Sequence, residues 1–92
     1  MKAIWKNTLL AETDDTVIVE NNHYFPHESL NKEFFEVSEH SSACPWKGTA
    51  NYYHIRVGED INPNAAWFYN DPKEAAKHIK GRVAFWKGVK VE

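Results

Sequence analysis

The residues best equipped for chemistry lie in one run, Ser41-Ser42-Ala43-Cys44-Pro45-Trp46-Lys47-Gly48-Thr49-Ala50. Cys44 is the chain's single thiol, and Lys47 places a cation three residues further on. If the two side chains converge, the ammonium favours the thiolate, which is the nucleophilic form of cysteine. Pro45 stiffens the backbone beside the thiol, and Gly48 allows a tight turn or the close approach of a ligand. Such a loop suits a nucleophile, an anion site, or both. The same residues also fit an inert thiol buried beside a structural tryptophan, because free cysteine is among the most buried residue types. The sequence leaves both readings open.

A second group of candidates follows on the stretch Thr49–Val57, the longest run with strand character. Alternation puts Ala50, Tyr52, His54 and Arg56 on one face and Tyr53, Ile55 and Val57 on the other. Tyr52 with Trp46, Trp67 and Tyr69 could wall a pocket, offering flat faces with polar edges, although such rings more often fill a core. Arg56 among aromatics needs an anionic partner, either an internal glutamate, which we prefer, or a ligand. The candidate site is therefore Cys44 as nucleophile, with Lys47, Gly48, Tyr52, His54, Arg56, Trp67 and Tyr69 as ligand contacts. Pairing Cys44 with His40 or His54 would suit nucleophilic or acyl-transfer chemistry. His54 lies ten residues beyond the thiol, so that pairing requires the loop to fold back. His23, His27, His40 and His54 could join the thiol around zinc, but no Cys-x-x-Cys, His-x-His or His-Glu-x-x-His spacing is present. We expect no metal and no cofactor, with His23 and His27 solvated.

Composition bounds what these residues can be part of. The chain has 92 residues, 42% apolar and 26% charged, which is the balance of one globular domain over 1–92. Four Trp, four Tyr and five Phe let a small core bury much area per residue. No apolar run approaches the roughly 18 residues that span a membrane, no basic-then-apolar leader opens the chain, and one cysteine allows no internal disulfide. We expect a soluble cytoplasmic domain. Charge is uneven: residues 1–46 carry three lysines against eight carboxylates, and residues 47–92 carry eight lysines and arginines against five carboxylates. The expectation is that the halves pair in the fold, with a positive patch for an anionic ligand as the functional alternative. Nucleic-acid binding is not expected, because the bases are dispersed and only two are arginine.

Strand signals dominate the elements that must hold these residues. Lys2–Trp5 and Leu9–Glu12 flank a hairpin break at Lys6-Asn7-Thr8. Thr16–Glu20 is a β-branched strand, followed by an Asn21-Asn22 turn into His23–Phe25 and a stop at Pro26. Further strands are expected at Phe34–Ser38, Thr49–Val57, Ala65–Tyr69, Arg82–Trp86 and Val89–Val91, with turns at Asn62-Pro63-Asn64 and Lys87-Gly88. One helix is predicted over 72–80, with Asp71 as N-cap, Pro72 at the first position, Glu74 completing a capping box and Gly81 closing it. Ala3-Ile4-Trp5-Lys6-Asn7 is echoed by Ala84-Phe85-Trp86-Lys87-Gly88, which suggests two hairpins with a Trp before the turn, neighbours in one sheet.

The ordered set of Tyr24-Phe25-Pro26, Cys44-Pro45-Trp46-Lys47-Gly48-Thr49-Ala50, Tyr52-Tyr53, Ala65-Ala66-Trp67-Phe68-Tyr69, Pro72 and Gly81-Arg82-Val83-Ala84-Phe85 resembles the small bacterial family catalogued as domain of unknown function 427. The resemblance covers nearly the whole chain and implies a mainly β single domain with a twisted, barrel- or tent-like antiparallel sheet. It brings no catalytic residue. A nucleotidyltransferase label sometimes attached to that family is not supported by the residues. Metal-assisted nucleotidyl transfer needs carboxylates that hold two cations about a phosphate, and Asp14-Asp15 would face opposite sides of a strand. The expected function is binding of a small anionic ligand near the Cys44–Gly48 loop, with catalysis through Cys44 as an open extension. A non-catalytic protein-interaction module is the alternative.

Overall fold

Gly48–Val57 carries apolar or aromatic side chains at both odd and even positions, and both faces of that strand are used. The computed structural model describes residues 1–92. Its strands are β1 (Lys2–Trp5), β2 (Thr8–Glu12), β3 (Val17–Val19), β4 (Asn22–Tyr24), β5 (Phe35–Cys44), β6 (Gly48–Val57), β7 (Asp60–Phe68), β8 (Val83–Phe85) and β9 (Lys90–Val91). A four-stranded antiparallel sheet runs β5-β6-β7-β8, a three-stranded one runs β2-β1-β9, and β3-β4 is a separate hairpin. The fold is mainly β, and none of these sheets closes into a barrel. No helix is long and apolar enough to cross a membrane.

Two hydrophobic clusters lie on opposite faces of the four-stranded sheet. Ile55, Ala66, Phe68, Val83 and Phe85 pack with Phe25 and with Ala3, Leu10 and Ala11 of β1 and β2. Tyr53 joins this face, its ring stacked on Phe68 at 4.7 Å, and Phe25 meets Phe85 edge to face at 5.4 Å. The other face carries Ala50, Tyr69 and Ala84, covered by Tyr24 of the β3-β4 hairpin and by Ala76 and Ile79. This cover is small, and Tyr52, Trp67 and Cys44 on that side stay partly exposed.

Strand β6 is continuous while both neighbours bulge against it. Pairing shifts between Val37 and Ser41 on β5, and between the Tyr53–Ala66 and Ile55–Asn62 pairs on β7. The second bulge holds Pro63 and Asn64, the latter at φ 55°. The Asn62-Pro63-Asn64 turn signal is thus real locally but expressed inside a strand, where a bulge tolerates a proline that cannot donate. Strand β5 also runs six residues past the expected Ser38. Its polar second half has weak strand propensity, and its pairing with β6 overrides that.

The segment expected as a helix over 72–80 is a 3₁₀ turn, Glu74–Ile79, kinked at Ala76 and without a side-chain cap. So few residues barely repay helix nucleation. Their buried pair, Ala76 and Ile79, has the i, i+3 spacing that a 3₁₀ turn eclipses. The residue preceding it, Lys73, is also claimed elsewhere, donating its N–H to Lys47 O at 2.8 Å. The echo around Trp5 and Trp86 is borne out only in part. Lys6-Asn7 and Lys87-Gly88 both turn at positive φ, but the first closes the β1-β2 hairpin and the second carries the chain from β8 across to β9 in the other sheet. The acidic and basic halves do pair, through Lys47–Glu20, Arg56–Glu36 and Arg82–Asp15.

Phe25 is fully buried and exchanges both backbone hydrogen bonds with Val83 at 2.8 Å. Phe25→Ala should lower unfolding stability by about 3–5 kcal/mol in urea titration; a loss below about 1 kcal/mol would show that this core does not hold the sheets together.

Candidate functional site

The Cys44–Gly48 run is the turn of the β5-β6 hairpin. Cys44 pairs with Gly48, leaving Pro45-Trp46-Lys47 as the loop. Gly48 sits at φ 114°, which a side chain rarely adopts. The segment 71–73 packs against it, and Lys73 Nζ donates to Pro45 O at 2.7 Å. The loop is therefore held from outside by backbone and side chain together.

That fixed loop directs Lys47 inward. Its ammonium lies 5.5 Å from the centre of the Trp46 ring and 5.6 Å from that of Tyr69. It donates a hydrogen bond to Glu20 Oε1. Glu20 and Asn21 form the two-residue β3-β4 turn, both at positive φ, as a type I′ turn requires. This turn geometry brings the carboxylate across to Lys47.

Next to the ammonium is a recess of about 180 Å³ lined by Lys47, Tyr52, Trp67, Tyr69 and Trp86. Alternation on β7 sends Ala66 and Phe68 to one core and Trp67 to this side, and Tyr69, one residue beyond the strand, follows the same facing. Trp86 follows β8 and meets Trp67 edge to face at 5.7 Å. Both indole N–H groups are spent elsewhere, Trp67 Nε1 donating to Tyr24 Oη at 3.2 Å and Trp86 Nε1 to Asn64 O at 2.6 Å. The Tyr52 hydroxyl is bonded to Ser42 Oγ at 2.8 Å, and the His40 ring leans on Tyr52 at 4.7 Å. The indoles therefore offer ring surface rather than donors, and the charged group of the lining is Lys47. Such a recess can stack a flat group and hold an anion.

Charge and burial tune these groups. The hydrogen bond and charge of Lys47 hold the Glu20 carboxyl below its ordinary range. Burial works to lower the Lys47 pKa, but the hydrogen bond to Glu20 and the neighbouring Tyr24, Tyr69 and Glu20 outweigh it, and the net shift is upward. Burial raises Tyr24 and Tyr69, against the opposing pull of Lys47.

Of the residues singled out in sequence, Lys47, Tyr52, Trp67 and Tyr69 line this recess, and Gly48 shapes its loop. Cys44 does not line it. Its half-buried thiol packs at the edge of the second core, the Lys47 ammonium is committed to Glu20, and no histidine bonds to the sulfur. His54 and Arg56 are also elsewhere. His54 Nδ1 accepts the Asn64 N–H at 3.0 Å in the bulge, and Arg56 pairs with Glu36 on β5. They share a face with Tyr52, but a strand rises about 3.3 Å per residue, so Arg56 lies roughly 13 Å further along. The internal glutamate was the correct partner for Arg56. His27, expected in solvent, is instead fixed between Gly81 O and Tyr53 Oη, while His23 meets Thr16 Oγ1. No three His, Cys, Asp or Glu side chains converge as metal ligands would. Sequence reasoning missed Trp86 and Glu20. Strand alternation with Ala84 could have found the first; no local signal marks the second.

A family model for a domain of unknown function (DUF427) matches residues 1–92, the full chain. No curated protein matches it.

The pKa shifts fix the direction of the pH response. A raised tyrosine or lysine contributes stability that is complete below its unfolded value, 10.0 for Tyr24 and Tyr69 and 10.5 for Lys47, and lost as pH rises through the folded one. The lowered Glu20 contributes above its unfolded value of 4.5, and this is lost as pH falls through its folded value. Unfolding stability in urea should fall as pH rises above 10.0, and Tyr24→Phe should lessen that fall; an equal fall in the variant would contradict this.

Proposed function

We propose that this chain, which belongs to the DUF427 family, binds a small molecule carrying a flat ring and an anionic group in the recess of Lys47, Tyr52, Trp67, Tyr69 and Trp86. The observation that carries this reading is a lysine ammonium enclosed beside aromatic walls and opening on a recess. An enclosed ammonium selects an anion, and walls whose indole donors are already spent select a planar, apolar body by contact. The rings are pre-placed on or just beyond β6, β7 and β8, so little ordering accompanies binding. Catalysis through Cys44 finds no support, since the thiol has neither a base nor a place in the lining.

The alternative, an interaction module, draws on a different feature. Edge strand β5 is long and carries Val37 with 80% of its surface exposed, so a partner strand could add to it. The bulge between Val37 and Ser41 interrupts that edge, and bulges are one way that proteins discourage edge pairing. The recess is the better-built feature.

A ligand at about one hundred times its Kd stabilises the folded state by about 2.7 kcal/mol. Screening small aromatic acids and phosphates by thermal shift should therefore yield ligands that raise the melting temperature of the native protein. The ligand-induced rise should vanish in Lys47→Met and Trp67→Ala and persist in Arg56→Ala and Cys44→Ser. An undiminished rise in both Lys47→Met and Trp67→Ala would move the binding site elsewhere.

A further inference from the structure

The cation in this recess already has an anion. Any ligand anion that uses Lys47 competes with the Glu20 carboxylate for the same ammonium, and the two partners are unequally held. The Lys47 side chain is 9% exposed, on a pinned loop between the rings of Trp46 and Tyr69. The Glu20 side chain is 53% exposed, at the tip of a two-residue turn, and the carboxylate does not line the recess. Glu20 has water on one side to swing into, regaining rotamer freedom as it goes. Lys47 cannot follow it.

Resting on the ligand-site reading above, we infer that Glu20 is a displaceable internal counterion that tunes the recess toward a small aryl phosphate monoester rather than an aryl carboxylate. Replacing one carboxylate by another leaves the electrostatics of Lys47 nearly unchanged. The newcomer also competes with a tethered group whose effective concentration is on the order of millimolar or more. A phosphate monoester brings close to a second negative charge at neutral pH and three strong acceptor oxygens, so the exchange gains where a carboxylate's does not. A second cation stands at the same end of the hairpin, because exposed Lys73 donates to Pro45 O, two residues before Lys47. Glu20 thus sets a threshold that favours the more highly charged anion.

Isothermal titration with phenyl phosphate and with benzoate tests this on the native protein, Glu20→Gln, Glu20→Asn and Lys47→Met. Asn tolerates positive φ and keeps the turn, which guards against a folding artefact in the Gln variant. The native protein should prefer phenyl phosphate. Both Glu20 variants should bind benzoate about tenfold more tightly than the native protein does, narrowing the preference, and Lys47→Met should lose both probes. Native-like benzoate affinity in both Glu20 variants would overturn the counterion role while leaving the ligand site intact. Failure of both probes with all four proteins would overturn the inference together with the reading beneath it.

Discussion

The structure depends on a single unbroken strand that must bury side chains in two directions. Strand β6 sends Tyr53 and Ile55 into one cluster and Ala50 into the other. A strand that buries side chains on both faces has little room to absorb irregularity, so its neighbours absorb it instead. Both β5 and β7 bulge where they pair with it, and bulges sharpen the local bend and twist. The extra residues are then available for other work. The Asn64 carbonyl takes the Trp86 N–H and its amide serves His54, so the bulge that accommodates β6 also orients a wall of the recess.

The two faces end differently because their covers differ in size. On one side, β1 and β2 lay further apolar residues over Phe68 and Phe85, and Phe25 fits between them. On the other, a short hairpin and a 3₁₀ turn contribute Tyr24, Ala76 and Ile79. These cannot cover Tyr52, Trp67 and Trp86 as well. Large rings left partly open on a rigid sheet form a recess without any dedicated loop, and its shape follows from strand alternation and ring geometry. Withdrawal of both indole N–H groups into the protein leaves the tryptophan walls presenting ring faces beside one charge.

What could be read from the chain depended on whether the signal was local. Period-two alternation along β6 is a property of consecutive residues and put Tyr52 on the recess side; Trp67 and Tyr69 were named for their ring type alone, and Trp46, named with them, does not line the recess. The cap-like Asp71-Pro72 and the closing Gly81 are local as well, yet they misled, because Lys73 bonds to the Lys47 loop and only six residues remain for the turn. Polar Ser38–Ala43 hides its strand character for the opposite reason, since the pairing that makes it extended comes from β6. Arg56 and His54 share the correct face with Tyr52 but lie too far along the strand, a distance that alternation does not encode. Glu20 was beyond reach, because nothing near position 20 specifies that a turn will deliver it to Lys47.

Lys47 is where packing and binding pull apart. Enclosing an ammonium carries a desolvation penalty that an apolar side chain of similar length would avoid, and its attraction to two rings and to one half-exposed carboxylate offsets that only in part. Methionine at this position would fill the same space among Trp46, Tyr69 and the loop with no charge to satisfy. The loop nevertheless holds an ammonium there, and Glu20 keeps it charged by raising its pKa against the effect of burial. The pair with Glu20 returns part of that cost to stability, while the apolar clusters of the fold contain no cation. A charge maintained at a cost to packing, at the edge of an open aromatic recess, is the feature on which the proposed anion site rests.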